Sequence, residues 1–144
     1  MIYKGLILIM LVFIPLMDFG QKMPDYQGGM DEFYKFMQLH LKYPSNARNR
    51  GTEGRVYVSF EIDSLKGIQN ITTIQNISDK CAEEVVRVLG KVPNKWILKD
   101  KLVTFILPVS FRMGTIKMGL SGTDLELPRG KLLDEIIVSA QAPR

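Results

Sequence analysis

Few side chains in this sequence are of the kinds that carry out chemistry, and their spacing keeps them apart. His40 is the only histidine and Cys81 the only cysteine, so a two-histidine metal site and an intramolecular disulfide are both ruled out. A nucleophilic dyad of Cys81 and His40 would also need a group to orient the imidazole, and no residue pattern supplies one. Cys81 reads instead as a small buried apolar residue. His40 reads as a residue near a helix end, where its ring interacts favourably with free carbonyls. The adjacent carboxylates Asp31 and Glu32, and Glu83 and Glu84, fall on predicted helices, where neighbours in sequence do not face one another. They read as solvated rather than as an acid and base pair. The triplets Asn70-Ile71-Thr72 and Asn76-Ile77-Ser78 match glycosylation acceptors. No glycine-rich phosphate loop occurs, and Trp96 and Tyr57 lack the interleaved basic stripe of a nucleic-acid platform. The residues therefore call for no metal, no cofactor, no nucleic-acid partner and no catalysis.

Nineteen Lys plus Arg against fifteen Asp plus Glu give a net charge of +4, a mild basicity suited to anionic envelope surfaces or acidic peptide segments. The 144 residues fit one domain. One positive charge at Lys4 precedes an uncharged run over residues 5–17 (GLILIMLVFIPLM), which Asp18 stops. This run, with Pro15 near its end, falls short of the roughly 20 apolar residues that a bilayer core requires. Residues 1–20 are therefore expected to form a signal peptide, with a short membrane anchor as the alternative. The mature chain would begin near Gln21. No cysteine follows the run where a lipoprotein would carry its lipid.

Binding by backbone and apolar side chains is what remains, and periodicity says which elements would present it. Residues 21–29, with Pro24, Gly28 and Gly29, read as an irregular lead-in. From Met30 onward, Phe33, Tyr34, Met37 and Leu41 recur at helical spacing and predict an amphipathic helix ending near Lys42, since Pro44 disfavours helix at Tyr43. Residues 45–54 read as a polar loop. Residues 55–62 then alternate, with Val56, Val58, Phe60 and Ile62 on one face and Arg55, Tyr57, Ser59 and Glu61 on the other, which predicts a half-buried strand. Turn residues at 63–67 and the β-prone stretch 68–75 complete a hairpin. Ser78 or Asp79 caps a second helix whose stripe is Ala82, Val85, Val86 and Leu89, with Gly90 ending it. Residues 101–111 alternate again through Val103, Phe105, Leu107, Val109 and Phe111. The expected fold is an α+β domain over residues 21–112, a small antiparallel sheet of about three strands with two helices on one face. Pro108 cannot donate a ladder hydrogen bond, which puts the last strand at a sheet edge, and an edge is open to another chain. Residues 113–144, with several glycines, are expected to form a flexible tail.

With the elements placed, residues 26–111, about 60% of the chain, resemble the C-terminal domain of TonB in the form common among Bacteroidetes envelope proteins. The resemblance is carried by Gly28 and Gly29 before the first helix and by Lys42, Tyr43, Pro44 and Ala47 after it. It continues in the GRVYVSF run from Gly54 to Phe60, with Asp63, and in Ala82, Pro93 and Trp96. The LPVSF run from Leu107 to Phe111, which contains Pro108, completes it. In two places the sequence departs from the family. Trp96 comes three positions after Pro93, where Pro-x-Trp is common, and Ile97-Leu98-Lys99-Asp100 replaces the usual Pro-Gly, so the connection into the last strand should be locally altered. The long membrane helix and Pro-rich linker of the family's energy transducers are not found in this sequence, so the resemblance implies recognition rather than energy transduction. It implies a periplasmic protein-binding module linked to TonB-dependent transmembrane transport, with an inner-membrane anchor facing the periplasm as the alternative location. The last strand would be a docking edge for the TonB-box segments of outer-membrane receptors. An extended peptide adding to such an edge gains main-chain hydrogen bonds, while alternate side chains set specificity. The docking residues would be Val103, Thr104, Phe105, Ile106, Leu107 and Ser110, with Thr104, Ile106 and Ser110 turned outward to the partner.

The tail carries a resemblance of its own. Leu133, Asp134, Glu135, Ile136, Ile137, Val138, Ser139 and Ala140 are similar to a TonB box of the Leu-Asp-Glu-Val-Val-Val-Thr type. Such a segment can occupy its own edge strand, pair with a neighbouring copy, or be offered to a separate transducer. A proline at Ile137 is expected to remove a ladder donor, and Asp134 and Glu135 to be drawn toward Lys99 and Lys101. The second function class is a structural or assembly protein that oligomerises through its tail strand.

Overall fold

The structure, a computed structural model, describes residues 25–99, 102–114 and 127–141. The leader assigned to residues 1–20 lies outside them. A two-residue strand β1 (Asp25–Tyr26) leads into helix α1 (Met30–His40) and a short helix α2 (Ser45–Asn49). The hairpin β2 (Gly54–Asp63) and β3 (Gly67–Gln75) follows, then helix α3 (Asp79–Leu89), the two-residue β4 (Trp96–Ile97) and the long β5 (Leu102–Met113). Two short strands, β6 (Lys131–Leu132) and β7 (Ile136–Ala140), complete the described elements. Among the described residues no helix is long and apolar enough to cross a membrane.

The helices form where periodicity and caps place them, with two differences. Residues 45–54 begin as helix α2 rather than as loop, because Pro44, extended at φ −61° and ψ 132°, stands at its N-cap and Ala47 is buried beneath it. In α3, Ser78 caps by accepting from the Cys81 amide at 3.2 Å. Its buried face is Cys81, Ala82, Val85, Val88 and Leu89, so Val88 takes the place expected of Val86, which is half-buried. Val88 and Cys81 thus join a buried face that is apolar throughout.

The central sheet runs β3-β2-β5, antiparallel throughout. The pairing of β2 with β5 is unbroken from Gly54↔Phe111 to Asp63↔Leu102. One face therefore carries Val56, Val58, Phe60 and Ile62 beside Phe105, Leu107, Val109 and Phe111, all fully buried in the single core with Phe33, Met37 and the α3 face. Eight such side chains, each contributing about 1.5–3 kcal/mol on burial, dominate the stability of the domain. Gly54 is required where β2 begins: its φ is +145°, and a Cβ there would lie 2.6 Å from Ile77 Cγ2. A second, two-stranded ribbon pairs β1 with β4, Tyr26 opposite Trp96. It stacks Tyr26 and Trp96 edge to face at 4.8 Å and sets Phe33 5.1 Å from Trp96.

The outer strand β3 has register shifts against β2 at Tyr57/Val58 and Ser59/Glu61, and Asn70 holds φ 49°. Bulges and a positive φ disrupt the straight ladder an incoming strand would need, so this edge is poorly suited to strand addition.

Candidate functional site

The opposite side of the sheet is built differently from what Pro108 suggested. β5 is not an edge: β6 and β7 pair with it in parallel along its outer side. Residues 131–140 are thus part of the sheet rather than a flexible tail, and Leu133, Ile136 and Val138 are buried in the same core as α1 and α3. Of the three placements open to this segment, the chain uses its own edge strand. Residues 115–126 and 142–144 of the expected tail lie outside the described residues.

Pro108 explains the shape of this pairing. Leu133 donates its amide to the Ile106 carbonyl at 2.8 Å. Since backbone groups alternate sides along an unbroken strand, Ile106, Pro108 and Ser110 all face the tail. The missing donor of Pro108 therefore falls on that side and leaves a gap in the ladder. The tail answers with a bulge. Phe105 pairs with Lys131 and Ile106 with Leu132, but Val109 pairs with Ile136 and Ser110 with Ile137, so one extra residue is accommodated opposite Leu107 and Pro108. A shift of one residue exchanges the faces of everything beyond it. Here it turns Ile136 and Val138 into the core and leaves Glu135, Ile137 and Ser139 on the face opposite the helices.

Each residue of the bulge is tied. The Leu133 amide is bound as above, and the Asp134 amide donates to Tyr34 Oη on α1 at 3.0 Å. The Glu135 carboxylate receives Arg55 Nε at 2.6 Å and the Ser110 hydroxyl. Arg55 also donates through Nη1 to Tyr57 Oη at 3.1 Å and lies over the Tyr57 ring, 5.8 Å from its centroid. Burial alone would push the Glu135 carboxyl up. The hydrogen bonds from Ser110 and Arg55, with the charges of Arg55 and Arg112, outweigh it and hold the carboxyl below its usual value. Both partners keep about a quarter of their side-chain surface exposed, 25% for Arg55 and 26% for Glu135, so this is a partly desolvated, hydrogen-bonded pair rather than a loose surface contact. Glu135 thus finds Arg55 rather than Lys99; Lys101 lies outside the described residues.

The expected docking residues fall accordingly. Phe105 and Leu107 are core, and Val103 and Thr104 are half-buried. Ile106 and Ser110 are not free to meet a partner: both are buried, with Gly130 so close to Ile106 that a Cβ there would come within 3.2 Å of Cγ1. The motif residues mostly hold the frame. Tyr43 donates to the Thr52 carbonyl, packs edge to face on Phe111 at 5.4 Å, and has its hydroxyl pushed up to about 12, first by burial. The Pro93 carbonyl accepts from Tyr26 Oη at 3.0 Å, and Gln27 donates to the Lys95 carbonyl at 2.8 Å, so the longer Pro93-to-Trp96 spacing is strapped to β1. Sequence reading places Arg55, Tyr57 and Tyr34 on their elements but gives them no part in holding the tail. The signal for the first two was their place on the face of β2 opposite the core, where the register sets Arg55 beside Ser110.

The groups that could suggest catalysis are committed elsewhere. Cys81 is fully buried, and burial raises its thiol. His40 Nδ1 lies 2.7 Å from the Phe36 carbonyl in the last turn of α1, as expected of a residue at a helix end. Glu84, expected to be solvated, accepts from the Lys42 amide at 2.9 Å and pairs with Arg87 at 2.7 Å, which in turn donates to the His40 carbonyl. It fastens α3 to the end of α1. Among the described residues no group of three or more His, Cys, Asp or Glu side chains could hold a metal ion.

Residues 39–113, just over half of the chain, match the family described as Gram-negative bacterial TonB protein C-terminal. The match stops at the end of β5, before β6 and β7. Among solved structures, the TonB C-terminal domain of Helicobacter pylori, determined in solution by NMR, is similar at 20% identity. The alignment covers 58% of this chain and 91% of that one, with a TM-score of 0.48. No curated protein matches.

Proposed function

Because this chain belongs to the Gram-negative bacterial TonB protein C-terminal family, we propose that it is a strand-binding module of the cell envelope, acting in the periplasm in TonB-dependent transport. Its partners are TonB-box segments of outer-membrane receptors, which add to the outer side of β5. The function is recognition, not catalysis. The observation that supports this reading is the seat of residues 133–140. A box-like segment already lies along that side of β5 in parallel, with Leu133, Ile136 and Val138 in the core and Glu135 held by Arg55 and Ser110. A receptor segment of the same pattern would exchange with it and make the same main-chain bonds.

The test is titration of the full chain with a synthetic TonB-box peptide from an outer-membrane receptor of the same organism, followed by the amide resonances of β5 and β7. Saturable shifts on both strands are expected. Shifts confined to β3, or no saturable shift, would overturn the reading. A second reading, assembly of copies by tail exchange, is favoured by the long connection between Met113 and Lys131. It predicts dimers that build up with protein concentration on size exclusion and vanish when the tail is cross-linked to β5.

A further inference from the structure

On the face of the sheet opposite the helices, the structure assigns Arg55, Tyr57, Ser110 and Arg112 as a carboxylate-reading site. We propose that it selects which strand of another protein can replace the tail: one with the pattern Leu-x-Glu-aliphatic-x-aliphatic, entering parallel to β5. This rests on the strand-binding function proposed above and names what the site demands of its partner.

Three observations carry it. First, leaving β5 bare is costly. Leu133, Ile136 and Val138 are buried in the core, so their removal exposes apolar surface and opens voids beneath it. Only a strand that refills all three positions can take the tail's place. Second, the bulge forced by Pro108 fixes the frame of any such strand. Without the extra residue the aliphatic positions would turn outward. With it, the residue just before the first refilled β7 position points at Ser110 and Arg55, as Glu135 does. Third, the site offers more donors than the tail uses. Arg112 lies opposite Ser139 and its charge acts on Glu135, yet its buried Nε has no hydrogen-bond partner. A strand with a carboxylate at the Glu135 position and a longer acceptor side chain at the Ser139 position would also engage Arg112 Nε. Donors placed in this way read acidic groups by direction as well as by charge, since the guanidinium Nε and the hydroxyl converge on one carboxylate oxygen.

The probes are synthetic peptides of residues 131–141, with glutamate or glutamine at position 135. They are titrated by fluorescence anisotropy into the full chain carrying Val138→Pro, which unseats its own tail, and into the same chain with Arg55→Gln added. The glutamate peptide is expected to bind about 3- to 10-fold more tightly than the glutamine peptide, and the preference to disappear with Arg55→Gln. Binding of both peptides without preference overturns the carboxylate-reading site alone. Binding of neither overturns the strand-binding function and this inference together. If Val138→Pro does not fold, amide exchange in the otherwise native full chain decides. Glu135→Gln and Arg55→Gln should each raise the exchange of the Val138 and Ala140 amides about 3- to 10-fold, with no further rise in the double variant and no change in the β2 and β3 amides. Equal exchange in all four chains overturns the proposal.

Discussion

At the scale of single residues, the tail is fastened by one ion pair whose strength depends on pH. Glu135 has its carboxyl held below 4.5 in the folded chain, and in the unfolded chain it returns to that ordinary value. A depressed carboxyl stabilises the fold fully at pH well above 4.5, and the contribution disappears as pH falls through the folded value. A partly exposed, hydrogen-bonded pair of this kind is worth about 1 kcal/mol. Urea unfolding of the native chain and of Glu135→Gln should therefore differ by about 1 kcal/mol near pH 7, and the gap should close as pH falls through the value at which the folded carboxyl takes up its proton. A gap that persists unchanged in acid would mean that the carboxylate is not its source.

At the scale of elements, the direction of each backbone group on β7 decides which substitutions matter. The Ala140 carbonyl accepts from the Gly114 amide at 3.0 Å, so by alternation the amides of Ile136 and Val138 also face β5, and that of Ile137 faces the open side. Ile137→Pro, expected from sequence to break the ladder, removes a donor that the ladder does not use, and prolines are tolerated at such edge positions. Val138→Pro removes one that it does use. Limited proteolysis should cut the tail of Val138→Pro much faster than that of the native chain, while Ile137→Pro behaves nearly as the native chain does. Equal protection of the two variants would contradict the assigned orientation of β7.

For the molecule as a whole, β5 joins two parts that sequence reading separated into a domain and an appendage. The buried Leu133, Ile136 and Val138 together contribute about 5–9 kcal/mol, comparable to the 5–15 kcal/mol that holds a typical domain folded. A chain ending at Gly114 should therefore lose cooperative thermal unfolding by circular dichroism, or associate through its bared β5. A monomeric truncated chain that melts sharply near the native temperature would show the tail to be an accessory.

The sequence by itself determined the two longer helices and the three long strands and, apart from the exchange of Val86 for Val88 in α3, the face each one buries. Alternation at 56–62 and 103–111, helical spacing from Phe33 to Leu41 and the cap at Ser78 all depend on contacts between near neighbours in the chain, and such contacts leave a period or a residue type that can be read, whereas the need for Gly54 comes from Ile77, 23 positions away. It also marked the tail segment as strand-forming and box-like. What only the tertiary structure decided was where that segment goes. The composition of 133–140 suits any edge equally well, and the choice depends on the missing donor of Pro108, the bulge opposite it and the converging Arg55 and Ser110, which lie 80 and 25 positions from Glu135. Contacts at that separation leave no period in the sequence. The same reason hid the true status of β5: Pro108 does sit where a ladder is interrupted, but the interruption is a gap between two short parallel strands, not the border of the sheet.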